Sequence, residues 1–207
     1  MSEWRDERHV QTYLGRADAL PRGEAEAVLL DELPPGLTRV LDLGAGDGRL
    51  LQVVLDRHPG ASGVAVDFSD AMVERLRERF AAGHRVEVVV HDLSEPLGDL
   101  GTFDAVVSSF AIHHLEYARK RSLYAEVFER LMPGGVFCNL EHVSSPSERV
   151  HLAFLAALGF TPGDEDPSNR LLDVGSQLAW LRELGFVDVD CYWKWRELAL
   201  LVGVKPS

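Results

Sequence analysis

Val40–Leu50 reads VLDLGAGDGRL, and this stretch decides the fold. The apolar run from Arg39 to Leu43 reads as a strand. It breaks into Gly44, Ala45, Gly46, Asp47 and Gly48, then continues through Leu50, Leu51, Val54 and Leu55 at helical spacing. Strand, glycine turn and helix together make the edge at which an α/β sheet holds a nucleotide. Glycine lets the chain turn sharply and lets a ligand approach the backbone with no Cβ in the way. The open N–H groups at the helix start then face that ligand. Asp42, Gly44, Ala45, Gly46 and Gly48 are therefore the first candidate binding residues. The glycines follow G-x-G-x-G. A dinucleotide loop would put its third glycine at position 49, where this chain has Arg49.

Working outward, the next strand is Ser62–Val66, and it ends at Asp67, 19 residues after Gly48. An acid at that separation accepts hydrogen bonds from ribose hydroxyls, a task suited to a group that only accepts. Ser69 is better placed than Asp67 to cap the following helix. A third strand, Arg85–Val90, leads to His91, Asp92 and Leu93. A fourth, Phe103–Ser109, runs into Phe110, Ala111, Ile112, His113, His114 and Leu115. A helix follows through Leu123, Val127, Phe128 and Leu131, and the Met132-Pro133-Gly134-Gly135 turn should stop it. Val136–Leu140 is the fifth strand and ends in Glu141 and His142. Strands alternating with helices imply a parallel sheet.

In this order, the glycine loop, the acid after the second strand, the Phe-Asp-x-Val-Val strand and the Leu-x-Pro-Gly-Gly turn resemble the class I S-adenosylmethionine (SAM)-dependent methyltransferases. The resemblance is good from Arg39 to Val143 and looser beyond. It implies SAM as cofactor and a Rossmann-like α/β fold: a seven-stranded, mostly parallel sheet with an antiparallel last strand, helices on both faces, N-terminal helices and a small helical lid. It also implies that Asp92 accepts from the adenine amino group and that the backbone of Leu93 supports the ring. Phe68 and Met72 either pack on the adenine faces or belong to the core.

The chain of 207 residues suits a single domain. Its segments are an N-terminal helical part (1–36), the cofactor core (37–143), a lid insertion (144–173) and a C-terminal helix with hairpin (174–207). Two helices are expected before the first strand, one through Val10, Tyr13, Leu14 and Ala17, the other through Ala25, Val28 and Leu29. Near the end, Val174–Leu184 reads as a helix. Phe186–Tyr192 and Leu198–Val204 read as strands joined near Trp193-Lys194-Trp195. No apolar run approaches the roughly 18 residues of a membrane span. The opening residues are charged and carry no signal-peptide apolar segment, and Cys138 and Cys191 lack disulfide or metal spacing, so a cytoplasmic location is expected. The formal net charge of −12 weighs against nucleic acid as the partner, and Arg119-Lys120-Arg121 reads as a solvated helix start. A homodimer stays open.

The rule that open α/β sheets bind at the carboxyl ends of their strands gathers Ser109, His113, His114, Glu141 and His142 beside the glycine loop. Methyl transfer to a hydroxyl gains from a general base, and histidine suits neutral pH. His114 is the leading candidate, with His142 and His113 beside it and Glu141 to orient a ring. A metal held by these groups is disfavoured, because adjacent residues on a strand point to opposite faces. Trp193, Lys194 and Trp195 either line an acceptor pocket or close the edge of the hairpin. The expected activity is methyl transfer to oxygen or nitrogen of a small-molecule acceptor. Rivals are a carboxy-SAM synthase, which would need a carboxylate-binding cation such as Arg16, Arg22 or Lys194, a tRNA methyltransferase, and a non-catalytic SAM-binding partner protein.

Overall fold

The strand expected at Arg39–Leu43 is an interior one of the sheet in the computed structural model, which describes residues 22–83 and 85–207. In chain order the elements are α1 (Gly23–Glu32), β1 (Arg39–Leu43), α2 (Arg49–Arg57), β2 (Ser62–Asp67), α3 (Asp70–Arg79) and β3 (Arg85–Val90). They continue with β4 (Phe103–Ser109), α4 (Tyr117–Arg130), β5 (Leu131–His142), α5 (Glu148–Ala157), α6 (Val174–Glu183), β6 (Val187–Trp195) and β7 (Leu198–Val204). Short 3-10 turns lie at Ile112–His114 and Pro162–Asp164. The first expected helix, Val10–Ala17, lies outside the described residues, as do Tyr13 and Arg16.

The seven strands are ordered β3-β2-β1-β4-β5-β7-β6. β7 pairs antiparallel with both β5 and β6, and the pairings among β1 to β5 are parallel. The period-2 pattern of the strands sorts their side chains onto two faces. Val40, Ala65, Ala105, Val107, Cys138 and Leu200 join a core with Leu29 of α1, Leu51 of α2, Leu76 of α3 and Phe154 of α5. Leu41, Leu43, Val66, Val106, Phe137 and Leu201 join a second core with Leu123 of α4 and Leu181 of α6. Helices thus cover both faces. Asp104 pins the amino ends of β1 and β4 together: its Oδ2 accepts from Thr38 N (2.8 Å), Thr38 Oγ1 (2.6 Å) and Arg39 N (2.9 Å). The acid of the Phe-Asp-x-Val-Val motif is therefore a sheet fastener, far from the strand ends that carry chemistry.

Two boundaries differ from the sequence reading. α4 ends at Arg130, before the Met-Pro-Gly-Gly turn, and Leu131 is already extended. Leu131 pairs with Phe103, then Met132–Gly135 bulges out before Val136 pairs with Ala105. Met132 precedes a proline, which disfavours helix there, so the glycines form a bulge in β5 instead of a helix stop. At the other end, β6 runs on through Trp195, and the hairpin turns at Arg196 and Glu197. Trp193 and Trp195 alternate with exposed Lys194 and pack against the α1/α5 core, which keeps the segment extended. Two register shifts, with Asp188 at φ 50°, absorb the extra length of β6.

Candidate active site

The sheet order reverses at β1 and β4, and the crevice there is where doubly wound sheets hold ligands. Gly44 (φ +67°) and Gly46 (φ +57°) are both left-handed, but for different reasons. A Cβ on Gly44 would overlap Cβ of Ala111, so this glycine allows the β1 loop to abut the β4 loop. A Cβ on Gly46 would meet nothing within 4 Å. Gly46 therefore faces open space, as a cradle for a ligand requires. α2 starts at Gly48 with no side-chain cap. Arg49 does not enter the cradle: its guanidinium pairs with both carboxylate oxygens of Glu26, tying α1 to α2.

Asp67 reinforces the loop from β2. Its Oδ2 accepts from Gly46 N at 2.8 Å and its Oδ1 from Ser69 N at 2.9 Å. Each oxygen keeps a second lone pair, so the carboxylate can still accept a hydroxyl. Burial raises its pKa, while these backbone bonds work the other way. Asp42 is buried on the α1/α2 side, and neither of its oxygens has a hydrogen bond. Burial and the nearby Asp67 push it up to about 8; the Leu51 amide offsets part of that without closing a bond of ordinary geometry. An unpartnered buried carboxyl group behind an open glycine cradle has hydrogen-bonding capacity left for a ligand, and a cation placed beside it would favour its ionised form.

Asp92 and Leu93 form the next part of the rim. Asp92 Oδ1 accepts from Ser94 N at 2.8 Å, and Leu93 is buried. Arg119 holds this loop from α4, donating to the carbonyls of Leu93 (2.7 Å) and Glu95 (2.8 Å). Lys120 is 1% exposed and donates to the carbonyls of His113 and Arg170. Two of the three residues expected to be a solvated helix start therefore stitch loops together, with Lys120 buried along its length, while Arg121 is exposed and pairs with Glu183 of α6. Phe68 is partly exposed at the rim, whereas Met72 is packed inside.

Beyond Ser109 the chain turns through Phe110, at φ 52°. A non-glycine residue there carries strain of roughly 1–3 kcal/mol, held by burial and by the bond from Phe110 N to Leu140 O (2.8 Å). The following 3-10 turn places the His113 and His114 rings side by side, 4.1 Å apart. Neighbours on a strand diverge, but these two sit on a turn and do not; even so, no cluster of three metal-ligating groups occurs among the described residues. His113 also meets His142 edge-on at 5.6 Å, because β4 and β5 are neighbours. Nδ1 of His113 lies 2.8 Å from Oε1 of Glu141, which is fully buried and also accepts from the His142 amide at 3.0 Å. Glu141 thus contacts the ring of His113, the more buried neighbour of His142. Asn139, Tyr124 and Gln177 extend this buried network: Asn139 Nδ2 donates to Tyr124 Oη (3.1 Å), which donates to Gln177 Oε1 (2.6 Å).

Burial pushes His113 well below the ordinary histidine range, helped by His142 and Lys120. Burial and the adjoining His113 take His114 down to about 3, and its Nδ1 sits 2.8 Å from Ser168 Oγ. His142 is different. Its ring is partly exposed, and its Nε2 lies 3.1 Å from Oε2 of the buried Glu197 in the β6–β7 turn. Burial alone would raise the Glu197 carboxyl, but hydrogen bonds from His142, Ser145 and His151 hold it below the ordinary value. Glu197 and His151 lie in no motif, and only the fold brings them to the histidines. Trp195 packs edge-on against Phe154 at 6.1 Å, and Trp193 Nε1 reaches Glu24 at 3.4 Å, so this pair seals the hairpin edge.

An α/β sheet in this order, with a glycine cradle at its switch point and an acid after β2, defines a nucleoside-binding enzyme of the methyltransferase type. The comparisons agree. Residues 40–135 match a model described as a methyltransferase domain. A demethylmenaquinone methyltransferase of Clavibacter sepedonicus is 37% identical, the match covering 82% of this chain and 74% of the relative. A carboxy-S-adenosyl-L-methionine synthase of Klebsiella pneumoniae (strain 342) is 28% identical over 82% of this chain and 76% of its own. The structure of an O-methyltransferase family protein from Burkholderia thailandensis superposes with a TM-score of 0.78 at 20% identity, covering 100% of this chain and 62% of that one. The chain belongs to the class I SAM-dependent methyltransferase family, whose enzymes use S-adenosyl-L-methionine as cofactor.

Proposed function

We propose that the protein moves a methyl group from SAM to an oxygen or nitrogen atom of a small-molecule acceptor, with His142 as the general base. The observation that carries this reading is the His142 ring. It stands at the carboxyl end of β5, partly exposed, with a buried carboxylate on Nε2. An ionised carboxylate only accepts, so Nε2 carries the proton and Nδ1 is left bare to take one from the acceptor. Glu197 then stabilises the imidazolium that forms, while neutral His113 beside it adds no competing charge. His114, first among the candidates by sequence, is the weaker base because burial suppresses its charged form.

The cofactor, when bound, supplies a methyl group on a sulfonium centre. Gly46 and the start of α2 would cradle it, Asp67 would accept from its ribose, Asp92 and Leu93 would hold its adenine, and Asp42 would face its positive charge. The two named relatives differ in what their names say, methyl transfer in one and carboxy-SAM synthesis in the other. Methyl transfer is favoured here because, among the described residues, the two candidate cations for a carboxylate, Arg22 and Lys194, are engaged elsewhere. Arg22 pairs with Glu26, and Lys194 donates to the Arg196 carbonyl. The acidic balance of the chain suits a small molecule better than a nucleic acid.

With an acceptor in hand, His142→Ala should lower turnover by about 10²–10⁴-fold and leave SAM affinity nearly unchanged. His114→Ala should cost much less. The reverse order, or full turnover by His142→Ala, would show that the base has been misassigned.

A further inference from the structure

Both ring nitrogens of His151, on α5, face carboxylates. Nδ1 lies 2.9 Å from Oε1 of Glu197, and Nε2 lies 2.9 Å from Oε1 of Glu165. Ionised carboxylate oxygens only accept, so each contact needs a proton on the ring, and His151 is an imidazolium. Glu197 is fully buried and receives a second ring, that of His142 at 3.1 Å. Glu165 directly follows the 3-10 turn Pro162–Asp164 in the segment between α5 and α6. Four side chains from β5, the β6–β7 turn, α5 and the lid loop therefore form one line: His142, Glu197, His151, Glu165.

We propose that Glu197 and the His151 imidazolium are positioning residues, a clasp that ties the lid to His142 and fixes its ring with Nε2 protonated. Lid seating and base orientation are then one event. The inference rests on the reading of His142 as the base, but the clasp is observable without any acceptor.

The charged and titratable groups around it are few. Glu165 and Glu197 face His151. His142, His151 and the Ser145 hydroxyl face Glu197. His113 lies 5.6 Å from the His142 ring, and Glu141 accepts the His142 amide. Burial works against a charged His151, but the bonds to Glu197 and Glu165 outweigh it and raise its pKa above the ordinary 6.5. The clasp is accordingly complete below the ordinary histidine range and loosens as pH climbs through the raised value.

Imidazole nitrogen NMR on the ligand-free protein tests this. In the parent, His151 should show both nitrogens protonated and titrate above a free imidazole, and His142 should show the Nε2–H tautomer. Glu165→Gln should lower the His151 titration by about 1 pH unit and speed amide exchange over 160–172. Glu197→Gln should lower it further and release the His142 tautomer. Should that buried change prevent folding, the part-exposed Glu165 carries the test alone. An ordinary His151 titration in the parent, or one unmoved by Glu165→Gln, would overturn the clasp. Full turnover by His142→Ala with these NMR signatures intact would instead sink the assignment of the base and leave the clasp standing.

Discussion

Asp42 is buried at the end of β1, bare of hydrogen bonds, with its pKa lifted from 3.8 to about 8. The folded chain therefore holds a proton that the unfolded chain gives up near pH 4. Between those values stability falls as pH rises, by about 1.4 kcal/mol per unit, and above the raised pKa the fall levels off. Asp42→Asn removes this slope. The ligand-free variant should melt higher than the parent at pH 8, with the gap closing towards pH 4, and should bind SAM more weakly. This is the exchange of stability for function expected at a binding site. Melting curves that stay parallel across the pH range would show that Asp42 does not titrate as described. His142 was legible at this scale, since its place after the fifth strand follows from the alternation of elements. The ring partners that distinguish His142 from His114 were not legible, because Glu197 and Ser168 lie 55 and 54 residues away from them in the chain.

At the scale of elements, α4 shows how a helix can serve a site it does not enter. Arg119 in its first turn holds the carbonyls of Leu93 and Glu95, and Glu126 accepts from Leu97 N at 2.8 Å while pairing with Arg119. Arg119→Ala should leave helix content unchanged, speed amide exchange over 92–97 and weaken SAM binding several-fold. Calorimetry together with hydrogen exchange would check it, and unchanged exchange in that loop would rule out the clamp. Sequence spacing located α4 through Leu123 and Val127. It gave no warning that Arg119 and Lys120 at the helix start would be absorbed by loop carbonyls, because those carbonyls belong to segments on either side of the helix. The same holds for β6. Its tryptophans read as a turn until the core of α1 and α5 is in place to receive them.

For the whole molecule, ligand binding and folding are linked. A cofactor that fills the cradle of Gly46 and meets Asp67 binds the folded chain alone, and at about 100 times its dissociation constant stabilises it by about 2.7 kcal/mol. SAM, and the product left when its methyl is transferred, should therefore raise the melting temperature clearly, while NAD at equal concentration should not. An equal shift with NAD would overturn the reading of the glycine loop. The sequence by itself determined the order of strands and helices, the glycine turn at the switch point and the acid of β2. Each depends on spacing within about 20 residues, where periodicity and turn chemistry are local. Only the tertiary structure decided that Glu197 stands behind His142, that Lys120 is buried, and that His151 and Glu165 join the same line of side chains. His142 and Glu197 are 55 residues apart in the chain and meet only because β7 returns antiparallel beside β5. Long-range pairings of that kind come from burying two sheet faces at once, and the chemistry they assemble carries no local pattern to read.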